Sequence, residues 1–382
     1  MRKILHIGKF YPPEHGGMER VLQHLAEGSC RCAEVSVLVA NTTAHTVRET
    51  RGGVHVVRAA RLGQPWSLPA CPTFPLWTDR LKADAVMLHV PNPLAMWSYL
   101  RSRSKTRAIV WLHSDIVRQR LALLWYESLL QRCLQQAEAI VVSSPPLFEL
   151  PSLQPFRGKC RIIPYGIDLA QFALTPHRES QSLALRQQYG TPLLLYVGRL
   201  TYYKGLKYLL EAMRHVEGRL LIVGSGPQGR ILQQQVKQLK LTDRVHFLGS
   251  IDHERLVACY HACDLFVLPS IAKSEAFGLV QLEAMAASKA VVSTHLPTGI
   301  RWVNQDGVTG LIVPPNDSHA LAQAISRLLR DVDFRQTLGR QGRQRVEKEF
   351  TLQRMLEQVN NLFHGVFQNP ECVKITTSPE GE

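Results

Sequence analysis

The feature that most constrains the fold of this chain is a repeated alternation of short apolar segments with segments of helical periodicity. In the first half, apolar runs predict strands at 3–8, 35–39, 54–57, 85–90, 108–112 and 139–142. Helical patterns separate several of these runs, the longest over about 117–136. Apolar runs that alternate with amphipathic helices are typical of parallel strands covered on both faces. The first half therefore predicts a parallel sheet with helices packed against it.

A second series of the same kind begins at about residue 191. Its predicted strands lie at 193–197, 220–223, 245–248, 265–268 and 290–292. Between the two series, the polar stretch from Asp168 to Gly190 predicts a connection between domains. At 382 residues the chain is long enough for two domains that each bury a core. The predicted class is α/β, with two domains.

Composition narrows the class of protein. No apolar run reaches the roughly 18–20 residues of a transmembrane helix, and the N-terminal apolar stretch is too short for a signal peptide. The eight cysteines lack the spacing of a disulfide framework or a zinc site, so we expect most to be reduced core residues. These features predict a cytosolic protein.

The net charge of +14 admits two kinds of anionic partner, nucleic acid and membrane. The sequence has no RNP motif, zinc finger or recognition helix, which disfavours nucleic acid. The densest basic run follows Trp97 and Tyr99 and comprises Arg101, Arg103, Lys105 and Arg107. This run is either a solvated loop or a patch for anionic lipid headgroups.

Two glutamates separated by seven residues, Glu275 and Glu283, follow the predicted strand at 265–268. Gly278 stands between them, where a helix is predicted to begin. One carboxylate should therefore lie on a strand-to-helix loop and the other just over one turn into the helix. Carboxylates bind hydroxyls, and amides at a helix N-terminus bind phosphate, so the pair suits a nucleotide-activated sugar. The alternative is an ordinary surface loop followed by a solvated helix.

Two further pairs of residues follow predicted strands, where open parallel sheets bind their ligands. Gly16 and Gly17 follow the first strand and would let a ligand approach the backbone. Arg199 ends the strand at 193–197 and Lys204 lies five residues on, so both cations could neutralise one diphosphate. An ordinary helix start and two surface cations are the structural alternatives.

Two other motifs favour different chemistries. Gly224-Ser-Gly226-Pro-Gln-Gly229 fits the dinucleotide fingerprint, but the acidic residue expected after the next strand is missing. We interpret it as a glycine loop and not as an NAD site. Asp331-Val-Asp333 fits a D-x-D metal motif, but it lies between two late helices and is interpreted as helix capping. The sequence requires no metal and no cofactor.

The motifs and their order resemble those of retaining glycosyltransferases of family 4, which have the GT-B architecture. The resemblance spans almost the whole chain and includes Gly16-Gly17-Met-Glu, His113-Ser-Asp, Ile163-Pro-Tyr-Gly-Ile-Asp168, Tyr196-Val-Gly-Arg-Leu-Thr-Tyr-Tyr-Lys204-Gly, the Glu275/Glu283 segment and Asp306-Gly-Val-Thr-Gly310. It implies two Rossmann-like domains that face each other across a cleft. The implied parts are an N-terminal acceptor domain at 1–168, a connection at 169–190, a nucleotide-sugar domain at 191–350 and a crossover helix at 351–367. The remaining residues, 368–382, lack apolar periodicity, which predicts a mobile tail.

The resemblance also implies how the donor is bound. Glu283 matches the family glutamate that binds the nucleotide ribose, and Glu275 matches the one that contacts sugar hydroxyls. Arg199 and Lys204 match the cations that hold the diphosphate and stabilise the departing nucleotide. The backbone amides expected to meet phosphate and sugar are those of Phe277, Gly278, Leu279 and Val280.

In the first domain, the resemblance assigns His113 to the histidine near the reacting sugar carbon, although a lone histidine after a strand is often structural. Gly16 and Gly17 become a loop that contacts the donor. Asp115 either joins this group or caps the next helix.

The implied activity is that of a retaining, metal-independent hexosyltransferase. It would use a GDP-mannose-type or UDP-sugar donor and a glycan acceptor, lipid-linked, in the synthesis of cell-surface polysaccharide such as lipopolysaccharide. The implied location is the cytoplasm, peripheral on the inner face of the membrane. Ile300-Arg301-Trp302 departs from the family's usual Gly-x-Pro-Glu, so the donor base and sugar stay open. An NAD-type oxidoreductase and a non-catalytic sugar-nucleotide or membrane-binding protein remain as alternatives.

Overall fold

The computed structural model describes residues 1–13, 16–64, 68–103, 106–114 and 120–368. The chain divides into two compact units, one formed by residues 1–164 with those from 353 onward, and the other by residues 165–352. Each unit is built around its own sheet. The predicted α/β class with two sheets is therefore confirmed. No helix among the described residues is both long enough and apolar enough to cross a membrane.

The first unit contains an eight-stranded sheet. In chain order its strands are β1 (Lys3–Ile7), β2 (Glu34–Ala40), β3 (Val47–Arg51), β4 (Val54–Ala59), β5 (Ala85–Val90), β6 (Arg107–Leu112), β7 (Ala137–Val142) and β8 (Cys160–Ile162). The helices between them are α1 (Gly17–Ser29), α2 (Phe74–Arg80), α3 (Pro93–Arg101), α4 (Arg120–Gln136) and α5 (Pro145–Phe148). The spatial order is β3-β4-β2-β1-β5-β6-β7-β8, and every pairing is parallel except that of β3 with β4.

The apolar runs predicted as strands all form strands of this sheet, because their side chains are buried under helices. The apolar pattern does not predict β3, because its five residues are all exposed. It is joined to β4 by Gly52 and Gly53, both with positive φ, and a glycine pair of this kind is typical of a hairpin. The helix predicted over about 117–136 is α4, and the part of that prediction before Arg120 lies outside the described residues.

The second unit contains a six-stranded parallel sheet. Its strands are β9 (Leu193–Val197), β10 (Arg219–Val223), β11 (Val245–Gly249), β12 (Leu265–Leu268), β13 (Val291–Thr294) and β14 (Gly310–Val313). Its helices are α6 (Pro176–Tyr189), α7 (Leu206–Ala212), α8 (Gly229–Gln238), α9 (His253–Ala262), α10 (Leu279–Ala286), α11 (Ile300–Val303), α12 (Ser318–Arg330) and α13 (Val332–Glu349). The spatial order β11-β10-β9-β12-β13-β14 is that of a doubly wound Rossmann sheet, with its topological switch between β9 and β12.

The segment predicted as a connection, 169–190, contains helix α6. Arg178 of α6 donates to both carboxylate oxygens of Glu254 on α9, at 2.9 and 2.7 Å. The last helix, α14 (Leu352–Gln368), packs in the first unit, where Leu356 lies against Gly28 and Phe363 against the ring of His6. Most of the predicted tail, residues 369–382, lies outside the described residues.

Seven cysteines fall among the described residues, and all seven are free thiols. Five of them are buried, which confirms the prediction that most cysteines are reduced core residues.

Close approach between loops fixes the carboxyl edge of the second sheet. Gly205 has φ +67°, and a Cβ built on it would lie 1.9 Å from the carbonyl oxygen of Pro269, just after β12. The N–H of Ile271 in turn donates to the carbonyl of Tyr203 at 2.8 Å. Only glycine allows this contact, so Gly205 locks the loop after β9 onto the loop after β12.

We expect Gly205→Ala to destabilise the protein much more than Gly249→Ala. Both glycines have φ +67°, but nothing lies within 4 Å of a Cβ built on Gly249. The control should lose about 1–2 kcal/mol for the left-handed backbone alone, while Gly205→Ala should lose a further ~1–3 kcal/mol for the clash. Urea unfolding of both variants measures the difference, and equal losses would show that the Gly205 contact is unimportant.

Candidate active site

The carboxyl edge of the second sheet brings together residues from separate motifs. Arg199 and Lys204 follow β9, while Glu275 follows β12, the strand that pairs with β9. The β9/β12 boundary is the topological switch, where chain connections leave in opposite directions and open a crevice. The predicted cations and the first predicted glutamate thus share one edge of one sheet.

Lys204 and Glu275 form a buried ion pair. Each residue is only 8% exposed, and the ammonium Nζ contacts Glu275 Oε2. The hydroxyl of Ser270 donates to the same carboxylate oxygen at 3.1 Å. The alternative of a surface loop glutamate and a surface lysine is therefore wrong for these two residues. Because a buried carboxylate is costly without partners, the lysine and the serine together stabilise its charge.

Tyr196 lies at the end of β9 beside this pair. Burial, followed by the negative charge of Glu275, raises the pKa of its phenol well above 10. The hydroxyl donates to the carbonyl of Arg199 at 3.4 Å. Tyr196 is therefore a neutral hydrogen-bond donor that helps to fix the backbone at Arg199.

The side chain of Arg199 differs from that of Lys204 because it is exposed. Its backbone is held on both sides: Gly198 N–H donates to Val223 O at 3.0 Å, and Leu200 N–H donates to Ser225 O at 2.9 Å. Within the described part of the chain, the guanidinium makes no hydrogen bond or ion pair. It is therefore available to an anion at this edge.

The glycine fingerprint after β10 has a structural role. A Cβ on Gly224 would lie 2.2 Å from the carbonyl oxygen of Gly198, and one on Gly226 would lie 2.5 Å from that of Leu200. These glycines let the loop after β10 pack on the loop that carries Arg199. The geometry fits the interpretation as a glycine loop and gives no support to an NAD site.

Glu283 lies just over one turn into α10, as its spacing predicts. It is 4% exposed, and its Oε2 accepts a hydrogen bond of 2.7 Å from the hydroxyl of Tyr260 on α9. A solvated helix glutamate is therefore excluded. The sequence does not predict this role of Tyr260, because nothing in an apolar helix marks one tyrosine as the partner of a carboxylate 23 positions away.

The N-terminus of α10 presents backbone amides at this edge. Gly278 precedes the helix with φ +75°, a left-handed conformation suited to glycine. Among the described residues, the amides of residues 277–280 have no hydrogen-bond acceptor. Phe277 itself is 3% exposed and packs edge-on against Tyr165, with ring centroids 4.8 Å apart. Only its backbone can meet a ligand, while the amides of Leu279 and Val280 begin the helix.

In the first unit, Gly16 and Gly17 form the start of α1, after β1. Gly16 is extended, with φ −175°, and its carbonyl accepts from the N–H of Arg20 at 3.1 Å. A Cβ on Gly16 would meet the carboxylate of Glu19 at 2.0 Å. These residues supply the amides of a helix N-terminus, as predicted.

His113 directly follows β6 and is 3% exposed. Its Nε2 lies 2.9 Å from Nδ1 of His89, and burial lowers the pKa of His113 to about 3. The ring is therefore a neutral imidazole at neutral pH. Asp115 lies outside the described residues.

The D-x-D motif at 331–333 caps a helix. Asp331 accepts from Phe334 N–H at 3.0 Å at the start of α13, as predicted for a cap. No cluster of three or more metal-ligating side chains occurs in the described ranges.

The basic run is only partly at the surface. Arg101 and Arg103 are exposed, but the guanidinium of Arg107 is directed to the carbonyl of Val366.

Tyr99 is not at the surface, so the prediction that it lies at a membrane interface is wrong. It is buried, 8% exposed, and its hydroxyl donates to Thr106 O at 3.0 Å. Trp97 is 41% exposed, with the guanidinium of Arg101 5.6 Å from its ring centroid. Lys105 lies outside the described residues. Among the described residues of the predicted patch, Trp97, Arg101 and Arg103 remain at the surface.

Comparison with known proteins assigns most of the chain to two family models. Residues 15–171 match the model described as Glycosyltransferase Family 4, and residues 178–345 match that of Glycosyl transferases group 1. The O-antigen chain mannosyltransferase C of Escherichia coli is 31% identical over 372 residues, covering 94% of this chain and 98% of the relative. The D-rhamnosyltransferase WbpZ of Pseudomonas aeruginosa is 34% identical over 358 residues, covering 91% and 92%.

Solved structures match the whole fold. Sucrose-phosphate synthase of Thermosynechococcus elongatus superposes with a TM-score of 0.80 at 26% identity, covering 96% of this chain and 99% of the other. HepE of Anabaena, solved with UDP and glucose, superposes with a TM-score of 0.79 at 21% identity, covering 96% and 100%. The second match concerns the fold alone.

We expect Tyr260→Phe to lower the free energy of unfolding by about 1.5–3 kcal/mol, because Glu283 loses a hydrogen bond to a charged, buried acceptor. Tyr189→Phe is the control. Tyr189 is half-buried and its ring lies 4.8 Å from that of His246 in a tilted arrangement, but its hydroxyl makes no hydrogen bond in the described ranges. Urea unfolding compares the two variants. A Tyr260→Phe loss no greater than the control's would show that the hydrogen bond does not stabilise the carboxylate.

Proposed function

This chain belongs to glycosyltransferase family 4, and we propose that it transfers a hexose from a nucleotide diphosphate sugar, with retention of configuration, to a glycan acceptor of a cell-surface polysaccharide. The observation that carries the proposal is the grouping at the β9/β12 switch of an exposed guanidinium, a buried Lys204–Glu275 pair and the amides that open α10. Cations and amides suit a diphosphate, and a carboxylate suits sugar hydroxyls.

Charge counting supports the diphosphate assignment. Arg199 and Lys204 exceed the one carboxylate of Glu275 by a single positive charge, and the N-terminus of α10 adds roughly half a charge. Since Lys204 is already paired with Glu275, Arg199 is the main uncompensated cation of the group. We assign Arg199 to direct diphosphate binding, and Lys204 to a double role in which it holds Glu275 and faces the phosphate.

The proposed chemistry follows from the same partners. The acceptor hydroxyl oxygen forms a bond to the anomeric carbon while the bond from that carbon to the phosphate oxygen breaks. The hydroxyl proton passes to the departing phosphate, whose charge is stabilised by Arg199, Lys204 and the amides. Glu275 and Glu283 are each held by a donor in the ligand-free protein, which favours binding roles over a nucleophilic role. Attack on the face of the departing group gives retention and uses no metal.

The donor is proposed to be of the GDP-mannose type ahead of a UDP-sugar. Two relatives that match more than 90% of the chain are named as a mannosyltransferase and a D-rhamnosyltransferase. The structure solved with UDP and glucose is only 21% identical and supports the fold rather than the donor.

A lipid-linked acceptor and a site of action at the inner face of the membrane complete the proposal. Trp97 is exposed beside Arg101 at the end of α3, with Arg103 close in sequence. An exposed tryptophan with neighbouring cations suits the headgroup region of an anionic bilayer. This surface is smaller than the run of four cations that the sequence suggested, because Arg107 is engaged by Val366.

The test of the function is transfer by the purified protein from GDP-mannose and from UDP-sugars to lipid-linked glycan acceptors, with EDTA present. We expect Glu275→Gln to lower transfer roughly 10–150-fold, because a charge-assisted hydrogen bond to the sugar is lost. Nucleoside diphosphate binding should not be lost, because Arg199 and Lys204 both keep their charge in this variant.

Glu347→Gln, on the exposed face of α13, is the matched control and should transfer at the wild-type rate. Wild-type transfer by a folded Glu275→Gln variant would remove the assigned role of Glu275. Loss of wild-type activity in EDTA, restored by Mg²⁺, would contradict the metal-independent mechanism.

We expect Arg199→Ala to weaken binding of a nucleoside diphosphate at least about tenfold while leaving binding of the nucleoside nearly unchanged, since a charged hydrogen bond is worth about 1.5–3 kcal/mol. Isothermal titration with both ligands measures the difference. Arg199 suits this test better than Lys204, because removing Lys204 also leaves a buried carboxylate without its partner, at a cost of about 3–5 kcal/mol.

Arg214→Ala, which removes an exposed arginine of the same unit, is the control and should bind both ligands normally. Equal loss of nucleoside and nucleoside diphosphate binding by Arg199→Ala would overturn the phosphate assignment.

A further inference from the structure

Three buried histidines from neighbouring strands form a hydrogen-bonded row in the first unit. His6 lies on β1, His89 on β5, and His113 directly after β6. Nδ1 of His6 is 3.2 Å from Nε2 of His89, and Nδ1 of His89 is 2.9 Å from Nε2 of His113. The rings stack, with centroids 5.5 and 5.1 Å apart. All three residues are at most 6% exposed.

The row consists of neutral rings. Burial lowers the pKa of His6 and of His113 to about 3, and burial with the neighbouring rings lowers the pKa of His89 well below 6.5. A neutral imidazole has one N–H donor and one acceptor nitrogen. Because His89 takes part in both hydrogen bonds, the two bonds must run in the same direction along the row. Only two proton arrangements are therefore possible.

The inner end of the row decides between these arrangements. Nε2 of His6 is buried and has no hydrogen-bond partner among the residues that the structure describes, and the ring of Phe363 packs against the same imidazole. If the bonds run from His113 towards His6, this nitrogen carries a buried N–H without an acceptor. If they run from His6 towards His113, it carries only a lone pair. Orphaned buried N–H groups are rarer than under-satisfied acceptors, which favours the second arrangement.

We propose that His6 and His89 are positioning residues that hold His113 in the tautomer with its proton on Nδ1. Nε2 of His113 then accepts from His89, and Nδ1 carries the one proton of the ring. The inference deepens the proposed function and rests on it in one respect. We assign His113, which the family resemblance matches to the histidine near the reacting sugar carbon, to donate from Nδ1 to a sugar oxygen and not to accept from a sugar hydroxyl. A neutral donor orients the sugar without adding charge.

A neighbouring ring provides a control for packing. Trp111 stacks on His89 and His113, with centroids 6.3 and 5.8 Å apart. These contacts with the row are contacts between rings, whereas the hydrogen bonds of the row join histidine nitrogens. Trp111→Phe therefore changes the stacking and leaves the hydrogen bonds of the row in place.

The test reads the tautomer directly in the ligand-free protein. Nitrogen-15 NMR of histidine-labelled protein distinguishes Nδ1–H from Nε2–H rings, and the His113→Gln spectrum assigns the His113 signal by difference. We expect the Nδ1–H tautomer of His113 in the wild type and in Trp111→Phe. A proton on Nε2 of His113 in the wild type would overturn the proposal, whatever the transfer activity.

Variants of His89 test whether the row sets the tautomer. In His89→Phe we expect a mixture of tautomers at His113 because the donor is gone. In His89→Asn the amide nitrogen replaces Nδ1, so the Nδ1–H tautomer should return. If His89→Phe does not fold, His6→Phe replaces it, because it removes the donor that fixes the direction of the row. An unchanged tautomer in the folded phenylalanine variant would overturn the positioning role.

Kinetics test the consequence for transfer. We expect His89→Phe, or His6→Phe in its place, to lower kcat roughly tenfold with little change in the donor KM, since an orienting hydrogen bond is lost. His89→Asn should restore most of kcat, and Trp111→Phe should keep it. An unchanged kcat in a variant with mixed tautomers would overturn the role of the donor in transfer. Inactivity of the wild type would instead count against the proposed function, because the tautomer is measured without substrate.

Discussion

The candidate site of the second unit depends on the parallel pairing of β9 with β12. Parallel strands end at the same edge, so the loop that follows β9 and the loop that follows β12 must meet there. Gly205 allows the two backbones to come into contact, and the hydrogen bond from Ile271 N–H to the carbonyl of Tyr203 fixes the position of one loop relative to the other. The backbone geometry therefore places Lys204 beside Glu275.

Burial then determines what the charged groups can do. Lys204 and Glu275 are both out of water, and each would be costly alone, so the pair with Ser270 behaves as one unit. Arg199 stays exposed on a backbone that is bonded on both sides, which keeps a solvated cation at a fixed position. The buried carboxylate of Glu283 also has a hydrogen-bond donor, the hydroxyl of Tyr260. The candidate site therefore combines a buried group, Lys204 with Glu275 and Ser270, and the exposed cation of Arg199.

The first unit also buries polar groups, but these groups are neutral. Its three stacked histidines are neutral because burial penalises the imidazolium form, and their polar nitrogens are paired along the row. The hydrogen bonds of the neutral row all run in one direction. That direction depends on Nε2 of His6, which has no hydrogen-bond partner in the described part of the chain. A residue at the inner end of the row can therefore influence what His113 offers at the outer end.

The sequence by itself determined the α/β class, most strands, and the spacing that puts Glu275 on a loop and Glu283 inside a helix, because apolar periodicity and glycine positions are local properties. It missed β3, whose exposed residues owe their strand conformation to pairing with β4. Only the tertiary structure decided that Lys204 pairs with Glu275, that Tyr260 holds Glu283, and that His6 and His89 join His113. The same is true of the burial of Tyr99 and of the hydrogen bond from the guanidinium of Arg107 to the carbonyl of Val366. These contacts join residues distant in sequence, and nothing in the local pattern of either partner specifies the other.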